Sequence, residues 1–405
     1  MKPSSALRPI LLLSDIGPCS NYTGGVVLAQ QCRLLPPGEL VAFIVQNRWL
    51  KPEPYADLAH LPTATVRKPD ELYEPTQWKR GPVAAKLTEY YRSTVVRDRL
   101  VAQAVAYGRK HRVRGVWAVL EGQTVVRMAA RVAKRLKVPL YSQVWDPISW
   151  WLQAHYVDRW NSDRTEADFR HALQISRSTA APSWAMAEHL RQTYGVQSLP
   201  LIASYDRSQA HPPSLAPKNP GELVIAIVGQ LYAADAWRQF LAMLRAAEWR
   251  VAGRNVRILY FGRTAPAGVP ADRLKDAGWA GTGEIIQALA READICYCPY
   301  PFTPDLEETA RLSFPSKAVM YMAAGKPVFF HGPHYSSPAK YFAGNHAAAV
   351  CASMDPYVIH GMFRWLVNDT DEYAATAAKA HAAFLNDFTL DRLQAAFDEF
   401  LDRTS

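Results

Sequence analysis

The chain of 405 residues is long enough for about two domains, each with its own core. Hydrophobic residues make up 49% and charged residues 20%, which excludes a disordered chain, and no run approaches about eighteen apolar residues, which excludes a membrane-spanning helix. Charge is uneven: residues 1–205 hold 27 Lys and Arg against 16 Asp and Glu, whereas residues 206–405 hold 19 against 21. The excess sits in 80–137, where 14 basic residues face three acids, Glu89, Asp98 and Glu121. That half is expected to meet something anionic, and the candidate is an anionic membrane surface. No nucleic-acid partner is expected, because no nucleic-acid motif accompanies the charge.

Met1 to Arg8 leads into only a short apolar run before Asp15, so the start reads as a first strand, Ile10–Ser14, and not as a signal peptide. The five cysteines, Cys19, Cys32, Cys296, Cys298 and Cys351, are scattered and odd in number. They read as buried thiols in a reducing, cytoplasmic setting, and no metal site is expected from them. After the first strand, Gly24 and Gly25 precede a helix from Val26 to about Leu35. Glycines there allow backbone to approach a ligand closely, although a plain turn accounts for them equally well. Val41–Val45 reads as a second strand, and 51–82, with Trp78, Lys79 and Arg80, reads as irregular and proline-rich.

Apolar residues at helical spacing run from Val83 to Arg109, followed by a strand at Gly115–Leu120 and a basic helix from Thr124 to Leu136. The next strand, Val138–Val144, ends at Asp146. An acid at the carboxyl end of a parallel strand sits where open α/β sheets place ligands, though it could also cap the following turn. Trp145, Trp150, Trp151, Tyr156 and Trp160 follow with His155. Trp150 and Trp151 are candidates to stack on an acceptor sugar, and a helix packed into the core is the alternative. Ala172–Ser176 reads as a strand, and Pro182–Leu190 as a capped helix.

Polar, proline-rich residues 206–221 are expected to link two domains, 1–205 and 222–370, with 371–405 as C-terminal helices crossing back to the first. The second half opens on a strand, Leu223–Val228, ending at Gly229. Its next strand, Val256–Phe261, is followed by Gly262 and Arg263. Arg263 is a candidate phosphate ligand, or a solvated loop residue. Strands alternating with helices in both halves predict an α/β chain of two Rossmann-like domains with parallel sheets, and a ligand is expected in a cleft between them.

Ser313-Phe-Pro-Ser-Lys-Ala-Val-Met-Tyr-Met-Ala-Ala-Gly-Lys-Pro327 lies between two apolar runs and reads as a short helix. Ser313 or Ser316 could cap it, Gly325 supplies a left-handed residue past its end, and Pro327 stops it. A helix N-terminus with Ser316 and Lys317 in its first turn suits an anion. An ordinary surface helix with a solvated lysine is the alternative.

The string from Pro315 to Val328 resembles the nucleotide-sugar site of glycosyltransferases with the GT-B fold, above all the large retaining family that builds bacterial polysaccharides. The resemblance implies two facing Rossmann-like domains and glycosyl transfer without a metal or cofactor. The co-substrate would be a nucleotide-diphosphate sugar, and the acceptor a glycan or lipid-linked sugar. It implies donor contacts from Gly24, Gly25, Ser316 and Lys317, and places Asp146 near the transferred sugar; Gly229, Arg263, Phe314 and Pro315 are further candidates to bind the donor. That family usually carries two glutamates eight positions apart, where this chain has Leu312 and Met320. Glu307 or Glu308 is left to do that work. Alternatively the ribose has fewer hydroxyls to satisfy, as in a dTDP-sugar. A catalytically silent nucleotide-binding or scaffolding relative is the competing reading.

Overall fold

The computed structural model describes residues 8–69, 71 and 82–403, with the side chains of 82 and 84–86 left aside. The segment holding Trp78, Lys79 and Arg80 lies outside the described residues. The chain divides into two compact units, one of Met1–Leu201 with Gln394–Ser405 and the other of Ile202–Leu393.

In the first unit, strands β1 (Ile10–Ser14), β2 (Leu40–Asn47), β3 (Thr63–Lys68), β4 (Gly115–Val119), β5 (Leu140–Gln143), β6 (Ser178–Ala181) and β7 (Ser198–Pro200) form one sheet, in the order β3-β2-β1-β4-β5-β6-β7. Every pairing is parallel. Parallel strands need helical crossovers, and these are α1 (Thr23–Arg33), α2 (Pro82–Tyr91), α3 (Arg97–Lys110), α4 (Gly122–Leu136), α5 (Ile148–Ala154), α6 (Arg159–Ile175) and α7 (Trp184–Tyr194). Ile10 to Leu13 are wholly buried, as helices on both faces of a sheet require.

Two expectations change here. Residues 51–82 are not all irregular, because Thr63 to Lys68 pair with β2 at the sheet edge, alternating exposed and half-buried residues up to Arg67 and ending on the buried Lys68. The strand expected at Ala172–Ser176 is instead the end of α6. Phe169, Ala172 and Leu173 are buried at helical spacing, and the Asp158 carboxylate caps the helix by accepting from the Asn161 N–H. The strand itself comes later, at Ser178.

The second unit orders its strands β11-β10-β8-β12-β13-β14, with β9 antiparallel to β10. They are β8 (Glu222–Val228), β9 (Arg250–Val251), β10 (Arg254–Phe261), β11 (Leu274–Asp276), β12 (Ile295–Pro299), β13 (Val328–His331) and β14 (Ala349–Cys351). Its helices are α8 (Ala234–Ala246), α9 (Thr282–Glu292), α10 (Glu307–Leu312), α11 (Ser316–Ala323), α12 (Ser337–Asn345), α13 (Pro356–Asn368) and α14 (Thr370–Asp387). Cys296 and Cys298 face one core layer with Tyr321 and Phe330, while Tyr297 and Phe329 face the other with Phe240 and Phe363. Each aromatic ring buried this way contributes about 1.5–3 kcal/mol.

Residues 206–221 do not hang free as a linker. His211 N–H donates to the Ala323 carbonyl at 2.8 Å and Ser214 N–H to that of Gly325 at 2.9 Å, while Lys218 N–H donates to the Asp294 carboxylate at 2.9 Å. The expected crossing tail is also shorter. Tyr373, Phe384 and Phe388 are buried in the second unit's cores and hold α14 there. Only the last helix, α15 (Leu390–Phe400), supplies Phe397 and Phe400 to the first unit, edge-on to Trp117 and Tyr141. Among the described residues no helix is long and apolar enough to cross a membrane.

Candidate functional site

The second unit's site is built on α11. Its N-cap is Pro315, which offers no side chain to the free N–H groups. Ser313 does not cap the helix either; its Oγ is buried without a hydrogen-bond partner, and Ser316 is already the first helical residue. The expected serine cap is therefore absent; the Ala318 N–H bonds back to the Pro315 carbonyl at 3.0 Å, which leaves the Ser316 and Lys317 N–H groups at the head of the helix.

Lys317 is buried, not solvated. Its ammonium donates to the Gln230 carbonyl at 3.2 Å and lies 5.2 Å from the centre of the Tyr232 ring. Burial pushes its pKa below the ordinary lysine value. Gln230 belongs to the turn after β8, where Gly229 has φ +75°. Three bonds fix that turn: Gly229 N–H to the Phe261 carbonyl at 2.7 Å, Tyr260 hydroxyl to the Gly229 carbonyl at 3.2 Å, and Val228 N–H to the Tyr321 hydroxyl at 2.8 Å. Gly229 and Lys317 are thus brought together. Arg263 is exposed at the end of β10 with its guanidinium 4.8 Å from the Trp279 ring centre. Phe314 is corrected from donor ligand to core residue, because it is buried and stacked on Phe388 at 5.4 Å. Pro315 is buried beside it.

In the first unit the carboxyl ends of the strands carry ionisable groups: Asp15 after β1, Lys68 at the end of β3, Glu121 after β4 and Asp146 after β5. Burial raises Asp146 to about 6. Glu121 is pushed well above the usual carboxylate range by burial and then by Asp15 and Asp146. Burial likewise raises Asp15, against the pull of Lys68. Glu71 behaves oppositely. Burial alone would raise it, but Lys68 at 3.1 Å and bonds from the Gln123 and Thr124 N–H groups and the Thr124 hydroxyl bring it below the ordinary value. A carboxyl raised by burial and by its acidic neighbours, interacting with one raised to about 6, is an arrangement that can move protons. Sequence reasoning found only Asp146 of this group. The strand-end rule that found it applies equally to Asp15 and Glu121.

Gly24 and Gly25 lie inside α1, which starts at Thr23. A Cβ on Gly24 would come within 2.7 Å of the Trp145 ring, and one on Gly25 within 2.1 Å of Cys19 Sγ. Packing accounts for both. Trp151 is corrected from an open stacking platform to a buried residue, one ring face being covered by His155 at 3.9 Å. Trp150 is half-buried, and the exposed rings of this region are Tyr156 and Trp160. Among the described residues no cluster of His, Cys, Asp and Glu could hold a metal.

No known protein-family signature and no curated protein sequence matches the chain. Solved structures do. HepE from Anabaena, solved with UDP, superposes with a TM-score of 0.64 at 14% identity over 97% of this chain and 99% of that one. Sucrose-phosphate synthase from Thermosynechococcus elongatus gives 0.65 at 12% identity over 98% and 99%. The α,α-trehalose 6-phosphate synthase from Burkholderia multivorans gives 0.62 at 14% over 97% and 98%. The chain has the GT-B fold. Leu312 is buried and Met320 packs half-buried on the core. Glu307 is held by Arg311 at 2.7 Å, and Glu308 is half-buried in the first turn of α10.

Proposed function

We propose that the chain transfers a sugar from a nucleotide-diphosphate donor, and that the donor diphosphate sits at the N-terminus of α11. The observation that carries this reading is the pairing of an uncapped helix N-terminus with the buried ammonium of Lys317 on a GT-B fold. Helix N–H groups and a desolvated cation stabilise charge developing on a leaving diphosphate, so a metal ion is not required for that step. Arg263 adds a second cation for the phosphates. HepE was solved with UDP, with UDP and glucose and with UDP-glucose, which supports a nucleotide-sugar donor here.

Asp146 is the carboxyl group we assign to the transfer step, acting on the acceptor hydroxyl or on positive charge at the transferred sugar. The acceptor we infer is a glycan or lipid-linked sugar of surface-polysaccharide assembly. Thermal-shift titration with UDP, GDP, dTDP and CMP tests donor binding, since a ligand of the folded state raises the melting temperature. Sugar release from the matching nucleotide sugar, with and without a membrane extract as acceptor source, tests transfer. Stabilisation by none of the diphosphates would end the donor reading. Stabilisation without transfer would favour a silent nucleotide-binding relative.

A further inference from the structure

The helix that precedes β4 carries an exposed apolar stripe. Val83, Leu87, Tyr90, Tyr91 and Val95 are each between 55% and 70% exposed. At 100° per residue, the first four fall within an arc of about 100°. Val95 would fall outside that arc on a continuous α-helix. It lies within a π-helical turn, Arg92–Val96, in which the Arg97 N–H reaches back to the Arg92 carbonyl. The Ser93 and Thr94 hydroxyls donate to the Tyr90 carbonyl at 3.3 and 2.6 Å. The wider π turn returns Val95 to the stripe, so the local irregularity makes the apolar face longer.

The opposite face is anchored. Glu89 and Ser93 are buried, and the Arg127 guanidinium of α4 lies 3.6 Å from the Glu89 carboxylate. Arg127 also donates to the Asn161 carbonyl at 3.3 Å and the Thr165 hydroxyl at 2.9 Å, so the helix is held with the stripe outward.

Charge selects the occupant. Over residues 82–110 there are six Lys and Arg and two acids. Neither acid faces outward unpaired, since Glu89 is buried and Asp98 accepts from Arg97 at 2.9 Å. Arg99, Arg109 and Lys110 are exposed along the same helix. An exposed aliphatic and tyrosine face on a cationic helix matches the interface of an anionic bilayer, where phenol rings sit at headgroup depth.

We infer that this helix, from α2 through α3, is the surface by which the chain docks on anionic membrane, with Val83, Leu87, Tyr90, Tyr91 and Val95 entering the interface. The inference does not depend on the transfer reaction. Not all of the basic segment takes part, because Arg92, Arg97 and Arg127 point inward, with side chains 17%, 12% and 4% exposed.

The test is sedimentation of the full chain with phosphatidylcholine vesicles in which a quarter of the lipid is phosphatidylglycerol, against pure phosphatidylcholine, at rising salt. Binding should favour the anionic vesicles by about tenfold and fall with salt. The pair Leu87→Glu and Val95→Glu should reduce it by at least about tenfold while leaving the melting temperature and its response to nucleotide diphosphates unchanged. Should that pair lower the melting temperature, Leu87→Asn with Tyr91→Ser serves instead. Undiminished binding by the variants, or equal binding to both vesicles, overturns the proposal. A dimer in the parent that these substitutions dissolve also overturns it, because a second copy would then cover the stripe.

Discussion

The Val228 N–H donates to the Tyr321 hydroxyl at 2.8 Å, joining two residues 93 positions apart. Tyr321 stands four residues after Lys317 on α11, and Val228 stands two before Gln230, whose carbonyl receives the Lys317 ammonium. The helix and the turn after β8 are therefore pinned at two points, and the position of the cation follows from both.

Tyr321→Phe removes one pin. Both residues are buried, so the Val228 N–H is left without a partner, at a cost of about 1–3 kcal/mol. Chemical denaturation should show that loss. Nucleotide-diphosphate affinity should fall as well, because the turn that holds Lys317 is freed. Unchanged stability would mean that water replaces the hydroxyl.

Lys317→Met separates binding from stability. A methionine keeps most of the volume and removes a cation that burial disfavours, so stability should hold or rise slightly. Nucleotide-diphosphate binding should weaken by about 1.5–3 kcal/mol, the worth of a charge-assisted bond to phosphate. Equal affinity in calorimetric titrations of variant and parent would remove Lys317 from the donor site.

Gly325→Ala tests the end of α11. Gly325 has φ +66°, and a Cβ there would lie 2.4 Å from the Pro212 carbonyl oxygen. The left-handed backbone costs an alanine about 1–2 kcal/mol, and the clash with the strapped segment adds to it. Asparagine tolerates that backbone but not the clash, so Gly325→Asn should be destabilised too. If asparagine restores parental stability, the backbone angle alone explains the glycine.

The alternation of apolar runs with helical patterns made the two parallel sheets legible, as did Gly229 and Gly325 at their turns. Burial was less legible. Phe314 and Trp151 have residue types that suit a ligand site, yet tertiary packing takes them into the cores, and one-dimensional spacing does not distinguish the two fates. The Ala172–Ser176 error has the same origin, since a short apolar run fits a strand or the buried end of a helix. Lys68 and Glu71 left no local signal because their partner, the first turn of α4, lies some fifty residues on, with Glu71 bonding Gln123 and Thr124.

Asp146→Asn should leave donor binding intact and lower transfer by at least about tenfold. A pH series adds a second readout. The folded value of about 6 lies above the ordinary 3.8, so the folded protein binds this proton more tightly than the unfolded chain. That contributes stability present below about pH 4 and lost as pH rises through 6, by at most about 3 kcal/mol. The variant should lose this slope between pH 4 and 6, whereas parental transfer should climb through about pH 6 as the carboxyl ionises. Parental transfer that is flat across that range would assign Asp146 a structural role.

Met320 stands where the resembling family has a carboxylate, and its thioether gives a hydroxyl almost nothing to bond. Glu307, the upstream acid that could compensate, is held by Arg311 at 2.7 Å, and Arg311 in turn lies 4.1 Å from the Tyr335 ring centre. Freeing that carboxylate means breaking a contact at the first turn of α10. A ribose pressed against Met320 would leave hydroxyls unsatisfied at about 1–3 kcal/mol each, and a 2′-deoxyribose has one fewer. Calorimetry with UDP and dUDP isolates that hydroxyl, because the base is the same. The deoxynucleotide is expected to bind more tightly by about 1 kcal/mol or more, and dTDP more tightly than UDP. Tighter binding of UDP, lost on Glu307→Ala or Glu308→Ala, would show instead that an upstream glutamate holds the ribose.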